Sequence, residues 1–355
     1  MTIRRGFVAG VALMLALCGI AFAFLPGSPP RNAATATTPG TGNGGDTRLK
    51  VVASFSILAD LTARVGGQRI ALTTLVGPDG DAHAYEPTPV DARAVASADV
   101  VIVNGLGFEG WINRLIGASG YQGRVTVASR GVVPIQHAGG HSHEHGDDAD
   151  KALRHGNEHP RHAARAPFPD TQVAQQDTID PHAWQSVANA RIYVANIAAA
   201  LSAADPAGAS IYAANATACL AELDALQHEI AAGLDALPAD QRTVITSHSA
   251  FGYFAAAYRL NFIAPQGMST QAEPSARDVA ALIAMIKEHN VSAVFLENIT
   301  DPRLLQRIAE ETHARIGGTL YSDALSPPDG PAPTYATMMR HNTSQLISAL
   351  QPPSR

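Results

Sequence analysis

The longest helical signal in the chain runs over residues 206–237 and limits what the rest can become. Ile211, Cys219, Leu223, Leu226, Ile230, Leu234 and Leu237 recur at helical intervals, with polar Asn215 completing the same face. Asp205 is a good N-cap, Pro206 occupies the first helical position, and Pro238 closes the far end. About thirty residues in one helix span roughly 45 Å. That is too long for one small domain, so the pattern predicts a rigid spine with a lobe on either side.

Both flanks read alike. Strand-type runs at 49–53, 70–76, 100–103 and 125–128 precede the spine, and others at 244–246, 261–264, 291–296 and 318–321 follow it. Helical patterns lie between them at 57–65, 89–98, 111–116 and 186–203, then through Phe251, Phe254 and Tyr258, and at 275–289, 301–315 and 335–350, with Ser275 as a cap. Valine-rich strands without polar alternation belong to parallel sheets covered on both faces. The expected fold class is therefore α/β, two lobes each with a parallel sheet flanked by helices, joined by one long rigid helix. The expected domains are an N-terminal lobe at 49–205, the linking helix at 206–237 and a C-terminal lobe at 238–355. A chain of 355 residues is long enough for two cores.

The first residues read as an export signal. Arg4 and Arg5 precede an apolar run to about Leu25, and Ala21-Phe22-Ala23 is an A-x-A cleavage pattern, giving a signal peptide at 1–23. An uncleaved anchor is the alternative, since the run approaches spanning length. Arg4-Arg5 also resembles a twin-arginine signal, whereas Leu17 before Cys18 is too large to favour lipidation. Residues 24–48 have the composition of a disordered linker. With Cys18 removed, Cys219 has no partner for an intramolecular disulfide, and its place on the spine's apolar face marks it as core. A net charge of −6 with no Lys/Arg run argues against nucleic acid.

Between the first lobe's last strand and the helix at 186–203, regular patterning stops. Seven of the fourteen histidines fall there: His137, His141, His143, His145, His155, His159 and His162. Alternating imidazoles such as His141-Ser142-His143-Glu144-His145 suit labile, multi-ion metal capture rather than one fixed geometry. A solvated low-complexity insert is the plainer reading of residues 137–162.

Four other residues stand at element ends. His83 follows a strand across a Gly/Pro turn, His182 lies just before a helix, His248 sits where a strand passes into a helix, and Asp323 follows a strand. Open α/β sheets bind ligands at the carboxyl ends of their strands. Three imidazoles and a carboxylate match a zinc-type donor set, although each histidine taken alone is equally at home in a structural role. Glu86 is a candidate fifth ligand or acceptor for an imidazole N–H. Trp184 and Tyr253 are expected to wall the site, and Asp329-Gly330 in the Pro-rich run at 327–333 to form a lip over the cleft.

These positions lie within longer motifs: Asp81-Ala82-His83-Ala84-Tyr85-Glu86-Pro87, Asp180-Pro181-His182-Ala183-Trp184, Thr246-Ser247-His248-Ser249-Ala250-Phe251-Gly252-Tyr253-Phe254, and Gly317-Gly318-Thr319-Leu320-Tyr321-Ser322-Asp323-Ala324-Leu325. Over residues 49 to about 350 the chain resembles the zinc/manganese substrate-binding proteins of bacterial ABC importers, the cluster A-I proteins of ZnuA and AztC type. The resemblance implies a metal held between the lobes by His83, His182, His248 and Asp323. It also implies delivery to an ABC transporter membrane permease and a periplasmic, exported location, with membrane association only through the permease or the N-terminus. A monomer is expected. Manganese-type relatives usually carry Glu where this chain has His248, so Zn(II) is the expected cargo and Mn(II) the alternative.

Two other functions compete. A secreted zinc hydrolase would need an open coordination position and a nearby base, whereas four protein ligands close the shell and no H-E-x-x-H motif is present, so the chain is not expected to be an enzyme. A periplasmic zinc buffer or adhesin without transport would need only the histidine-rich insert.

Overall fold

The computed structural model describes residues 47–136, 179–289, 291 and 293–351. The expected signal peptide, the linker up to residue 46 and the histidine-rich insert, including His137, His141, His143, His145, His155, His159 and His162, lie outside the described residues.

The first lobe is built from β1 (Leu49–Phe55), α1 (Ser56–Gly66), β2 (Ile70–Val76), α2 (Pro89–Ala96), β3 (Val100–Val103), α3 (Ile112–Ser119) and β4 (Arg124–Val127), followed by α4 (Val187–Ala204). Its strands are all parallel in the order β2-β1-β3-β4. Every residue of β3 is buried, as its unbroken Val-Val-Ile-Val run requires of a strand covered on both faces. The second lobe repeats the scheme with β5 (Thr243–Ile245), α6 (Gly252–Tyr258), β6 (Asn261–Ile263), α7 (Ala276–His289), β7 (Ala293–Glu297), α8 (Arg303–Thr312), β8 (Arg315–Leu320) and α9 (Tyr335–Leu350). Its order, β6-β5-β7-β8, is the same pattern. In each sheet the chain steps to one side of its first strand and then crosses to the other, creating a switch point between β1 and β3 and another between β5 and β7. Crevices form at such points.

The spine between the lobes is α5 (Ala209–Asp235), preceded by a 3-10 turn at Pro206–Gly208 that Asp205 caps through Gly208 N. At 1.5 Å per residue the helix is about 40 Å long. Its buried face begins one residue later than the sequence pattern indicates. Tyr212 and Ala216 lead into Cys219, Leu223, Leu226, Ile230 and Leu234, while Ile211 is 43% exposed. The reason lies in polar partners. Tyr212 Oη donates to Asp205, which also takes Arg69 Nε, and Asn215 Nδ2 donates to the Val65 carbonyl near the end of α1, where helix carbonyls lack intrahelical partners. One continuous core runs from Val51 and Val101 in the first lobe through the spine to Phe254, Leu320 and Met338 in the second. A smaller core, including Ile245, Leu282, Val294 and Ile308, underlies α7 and α8.

Two boundaries in the second lobe differ from expectation. The helix expected to reach residue 315 stops at Thr312, because His313 takes a left-handed conformation with φ 58°, and the last strand starts at Arg315 rather than 318. A register shift against β7 leaves Gly317 as an extra residue in β8. A Cβ on Gly317 would come within 2.6 Å of the Phe295 ring, so the bulge tolerates no side chain. The Pro-rich run expected as a lip is a closed turn, with Ser326 N donating to Ala332 O, Ala332 N to Ser326 Oγ, and Gly330 N to Pro327 O.

Because the core passes through α5 without interruption, Leu226→Ala is expected to cost about 2–5 kcal/mol and to lower both lobes together. Guanidinium unfolding of the metal-free protein, followed by far-UV and tyrosine signals, should shift in one step. Separate shifts of the two lobes would contradict a shared core.

Candidate metal centre

His83, His182, His248 and Asp323 converge, each no more than 4% exposed, and one ligand atom from each lies within 4.8 Å of the others. The first lobe supplies His83 and His182, the second His248 and Asp323. His83 Nε2 stands 3.2 Å from His182 Nε2 and 3.3 Å from Asp323 Oδ2. His248 Nε2 is 3.2 Å from Asp323 Oδ2, and His182 Nε2 is 3.6 Å from Asp323 Oδ1.

Each histidine is placed by a different local device. Asp81 Oδ1 accepts the His83 backbone N–H at 2.8 Å and that of Ala84 at 3.3 Å, forming an Asx-type turn after β2. From the second lobe, Thr270 Oγ1 donates to Asp81 Oδ2 and Gln271 Nε2 donates to His83 O at 2.6 Å, so both lobes hold this turn. Asp180 Oδ1 accepts from His182 N at 2.9 Å and from His182 Nδ1 at 2.8 Å, which turns Nε2 inward. Tyr253 Oη donates to Asp180 O and accepts from Ile135 N, and thus braces the His182 turn instead of lining the ligand atoms. Trp184 packs against His182 at 5.3 Å and donates Nε1 to Ser322 O beside Asp323, a wall as expected.

His248 follows β5 at the second switch point, and Glu297 ends β7 across that point. Glu297 Oε1 accepts Ser247 N and His248 N at 2.7 and 2.9 Å, while Oε2 lies 2.7 Å from His248 Nδ1, at ion-pair distance but off the line a hydrogen bond prefers. Asp180 and Glu297 therefore take the acceptor places for which Glu86 was a candidate, and Glu86 is exposed. The repeated Asp-x-His of Asp81-Ala82-His83 and Asp180-Pro181-His182 was a readable signal for the first carboxylate. Nothing in the spacing marks Glu297 beyond its place directly after an apolar strand.

The electrostatics follow from burial of so many charges together. Desolvation, the largest effect on every member, would neutralise them all. Asp323 and Asp180 overcome it at His182, raising that imidazole to about 9, and Glu297 with Asp323 raises His248 well above its usual range. Burial also acts to raise Asp323, yet His182 and His248 draw it well below the ordinary carboxylate range. At His83 burial prevails and the imidazole is lowered, helped by the two other histidines. His182 Nε2 thus stands at hydrogen-bond distance from His83 Nε2, and His248 Nε2 from Asp323 Oδ2. Asp323 Oδ1 is buried without a hydrogen-bond partner among the described residues, an orphan that a cation among these atoms would satisfy.

The match to known proteins is broad. The sequence family described as the zinc-uptake complex component A, periplasmic (ZnuA), covers residues 51–349. The chain belongs to the ZnuA family. Its members are components of an uptake complex, not enzymes, and the resemblance read from the motifs is confirmed. The manganese-binding lipoprotein MntA of Halalkalibacterium halodurans is 31% identical over 303 residues, 85% of this chain and 88% of that protein. The iron-binding protein YfeA of Yersinia pestis is 30% identical over 292 residues, 82% and 83% of the two chains. The periplasmic zinc-binding protein TroA of Treponema pallidum superposes with a TM-score of 0.71 over 86% of this chain and all of TroA; at 24% identity that likeness speaks to the two-lobed fold.

For the metal-free protein, His182 should titrate near pH 9 in 15N-edited imidazole spectra. Its raised pKa contributes stability that is fully present below the unfolded value of about 6.5 and is lost as pH rises through about 9. Asp180→Asn should pull that titration down and flatten the loss. A His182 that titrates near 6.5 in the native protein would contradict this charge arrangement.

Proposed function

We propose that the protein captures Zn(II) between its lobes on His83, His182, His248 and Asp323 and hands it to an ABC-type membrane permease from the periplasm. The observation that carries this reading is the convergence of three imidazole Nε2 atoms on a buried carboxylate with one unpaired oxygen. Zinc bonds to nitrogen and oxygen of roughly 2.0–2.2 Å set the edge of a tetrahedron at about 3.3–3.6 Å; the four shortest separations here, two to Asp323 Oδ2 and one to Oδ1, are 3.2–3.6 Å, and the donor set as a whole lies within 4.8 Å. Imidazole at position 248, where oxygen would favour manganese, supports zinc. Manganese is the second reading: both Asp323 oxygens face imidazoles, which permits chelation and a coordination number above four, and MntA is named for manganese.

The histidine-rich insert is proposed as an accessory collector. Its roots meet at the antiparallel pair Gln136 and Ile179, next to Asp180 and thus next to His182. Ions gathered there are delivered close to the interlobe site. The spine and the continuous core favour a small, local closure over a wide domain swing. The N-terminal segment, cleaved or anchored, keeps the protein outside the cytoplasm.

Native mass spectrometry of the exported chain, with and without residues 137–162, titrated with zinc against excess manganese, tests this reading. One tight zinc that survives removal of the insert is expected, and loss of all zinc with the insert would leave only a buffer. His248→Glu should move the preference toward manganese; an unchanged zinc/manganese ratio would remove His248 from the ligand set.

Because neutral imidazole is the ligand form and His182 and His248 are raised in the metal-free protein, binding near pH 7.5 should release protons and weaken on acidification. Calorimetry in buffers of different ionisation enthalpy counts those protons. Release of none would contradict ligation by these imidazoles.

A further inference from the structure

His182 and His248 each have a carboxylate at Nδ1, Asp180 and Glu297. Among the described residues His83 has none. What stands against it is Phe108, whose ring meets the His83 imidazole edge-on at 4.6 Å and continues to His182 at 5.9 Å and Trp184 at 4.7 Å. Phe108 is 1% exposed.

The loop that carries Phe108 is built at some expense. After β3 three successive residues take positive φ, Gly105 at 84°, Leu106 at 57° and Gly107 at 83°. For Leu106 that conformation is strained. The next residue but one, Glu109, is a buried carboxylate 5% exposed, and it closes the loop by accepting Asn104 N at 2.6 Å, Gly105 N at 3.3 Å and Ser54 Oγ at 2.5 Å. Asn104 Nδ2 then reaches Pro181 O in the His182 turn. A strained turn and a buried acid with no cationic partner among the described residues are both unfavourable in isolation. Their joint outcome is a fixed ring against the one imidazole that lacks a carboxylate at Nδ1.

We propose that Phe108, held in place by Glu109, is the positioning residue for His83, supplying by ring contact the orientation that the other two imidazoles receive from carboxylates. This rests on the metal reading above. A ring edge fixes direction but adds no basicity, unlike a carboxylate on the far nitrogen. His83 is therefore the weakest nitrogen donor of the set and the first to let go when the ion is surrendered.

The test is zinc release from the full exported chain to a chromophoric chelator, with ligand-field absorption of the Co(II)-loaded protein as a report on geometry. Phe108→Leu is expected to release zinc about tenfold faster and to shift the Co(II) bands. In a His83→Ala background the same substitution should change the release rate less than twofold, since there is no imidazole left to orient. Glu109→Gln leaves the ring in place but weakens the loop closure, and should move rate and spectrum the same way by a smaller factor; circular dichroism of each metal-free variant checks folding. Wild-type rate and spectrum in both Phe108→Leu and Glu109→Gln would overturn the proposal, as would an equal acceleration with and without His83. A wild-type chain that retains no divalent ion overturns the metal reading and this proposal with it.

Discussion

A buried carboxylate facing three imidazoles is the interaction on which the rest of this structure depends. Asp323 is fully enclosed, and its charge is tolerable only because His182 and His248 lean on it with protons that Asp180 and Glu297 help to retain. Coulomb attraction in a poorly screened interior outweighs desolvation for these groups, whereas His83, with no carboxylate of its own beyond Asp323, stays neutral. The two lobes meet over this cluster. It is a charged centre within a largely apolar interior.

A consequence concerns charge balance. A divalent ion that displaced protons from the raised His182 and His248 would offset part of the charge it brings, so the surrounding core would experience a smaller difference between the loaded and metal-free protein. That agrees with a fold whose hydrophobic core already runs unbroken through the spine, and with a turn at His83 that both lobes hold through Thr270 and Gln271. Large rearrangement is not needed to accommodate the ion. On the proposed role of Phe108, release depends on local weakening at His83, the donor with the least support.

Much of this was legible in the sequence because the physics was local. The strand Val100–Val103 announces itself by an unbroken apolar run, and α9 by the helical pattern at 335–350. Histidines and an aspartate at strand ends pointed to the switch points. What escaped was long-range. The spine's face turned by one residue because Asn215 bonds a carbonyl of α1, which periodicity cannot report. The end of α8 was set by a single left-handed residue, His313, and β8 by a bulge against Phe295. Glu297 and Phe108 gain their meaning only when a distant strand or loop brings a histidine to them, whereas Glu86, close in sequence to His83, faces solvent.

X-ray absorption at the zinc edge of the loaded protein examines the centre most directly. The expected first shell holds three imidazole nitrogens and one or two carboxylate oxygens at about 2.0–2.2 Å, with the outer-shell scattering of three imidazole rings, and it should lose one ring in His83→Ala, His182→Ala or His248→Ala. A shell made only of oxygen, or one that keeps three imidazoles after any of those substitutions, would place the ion elsewhere and contradict an interlobe site built on Asp323.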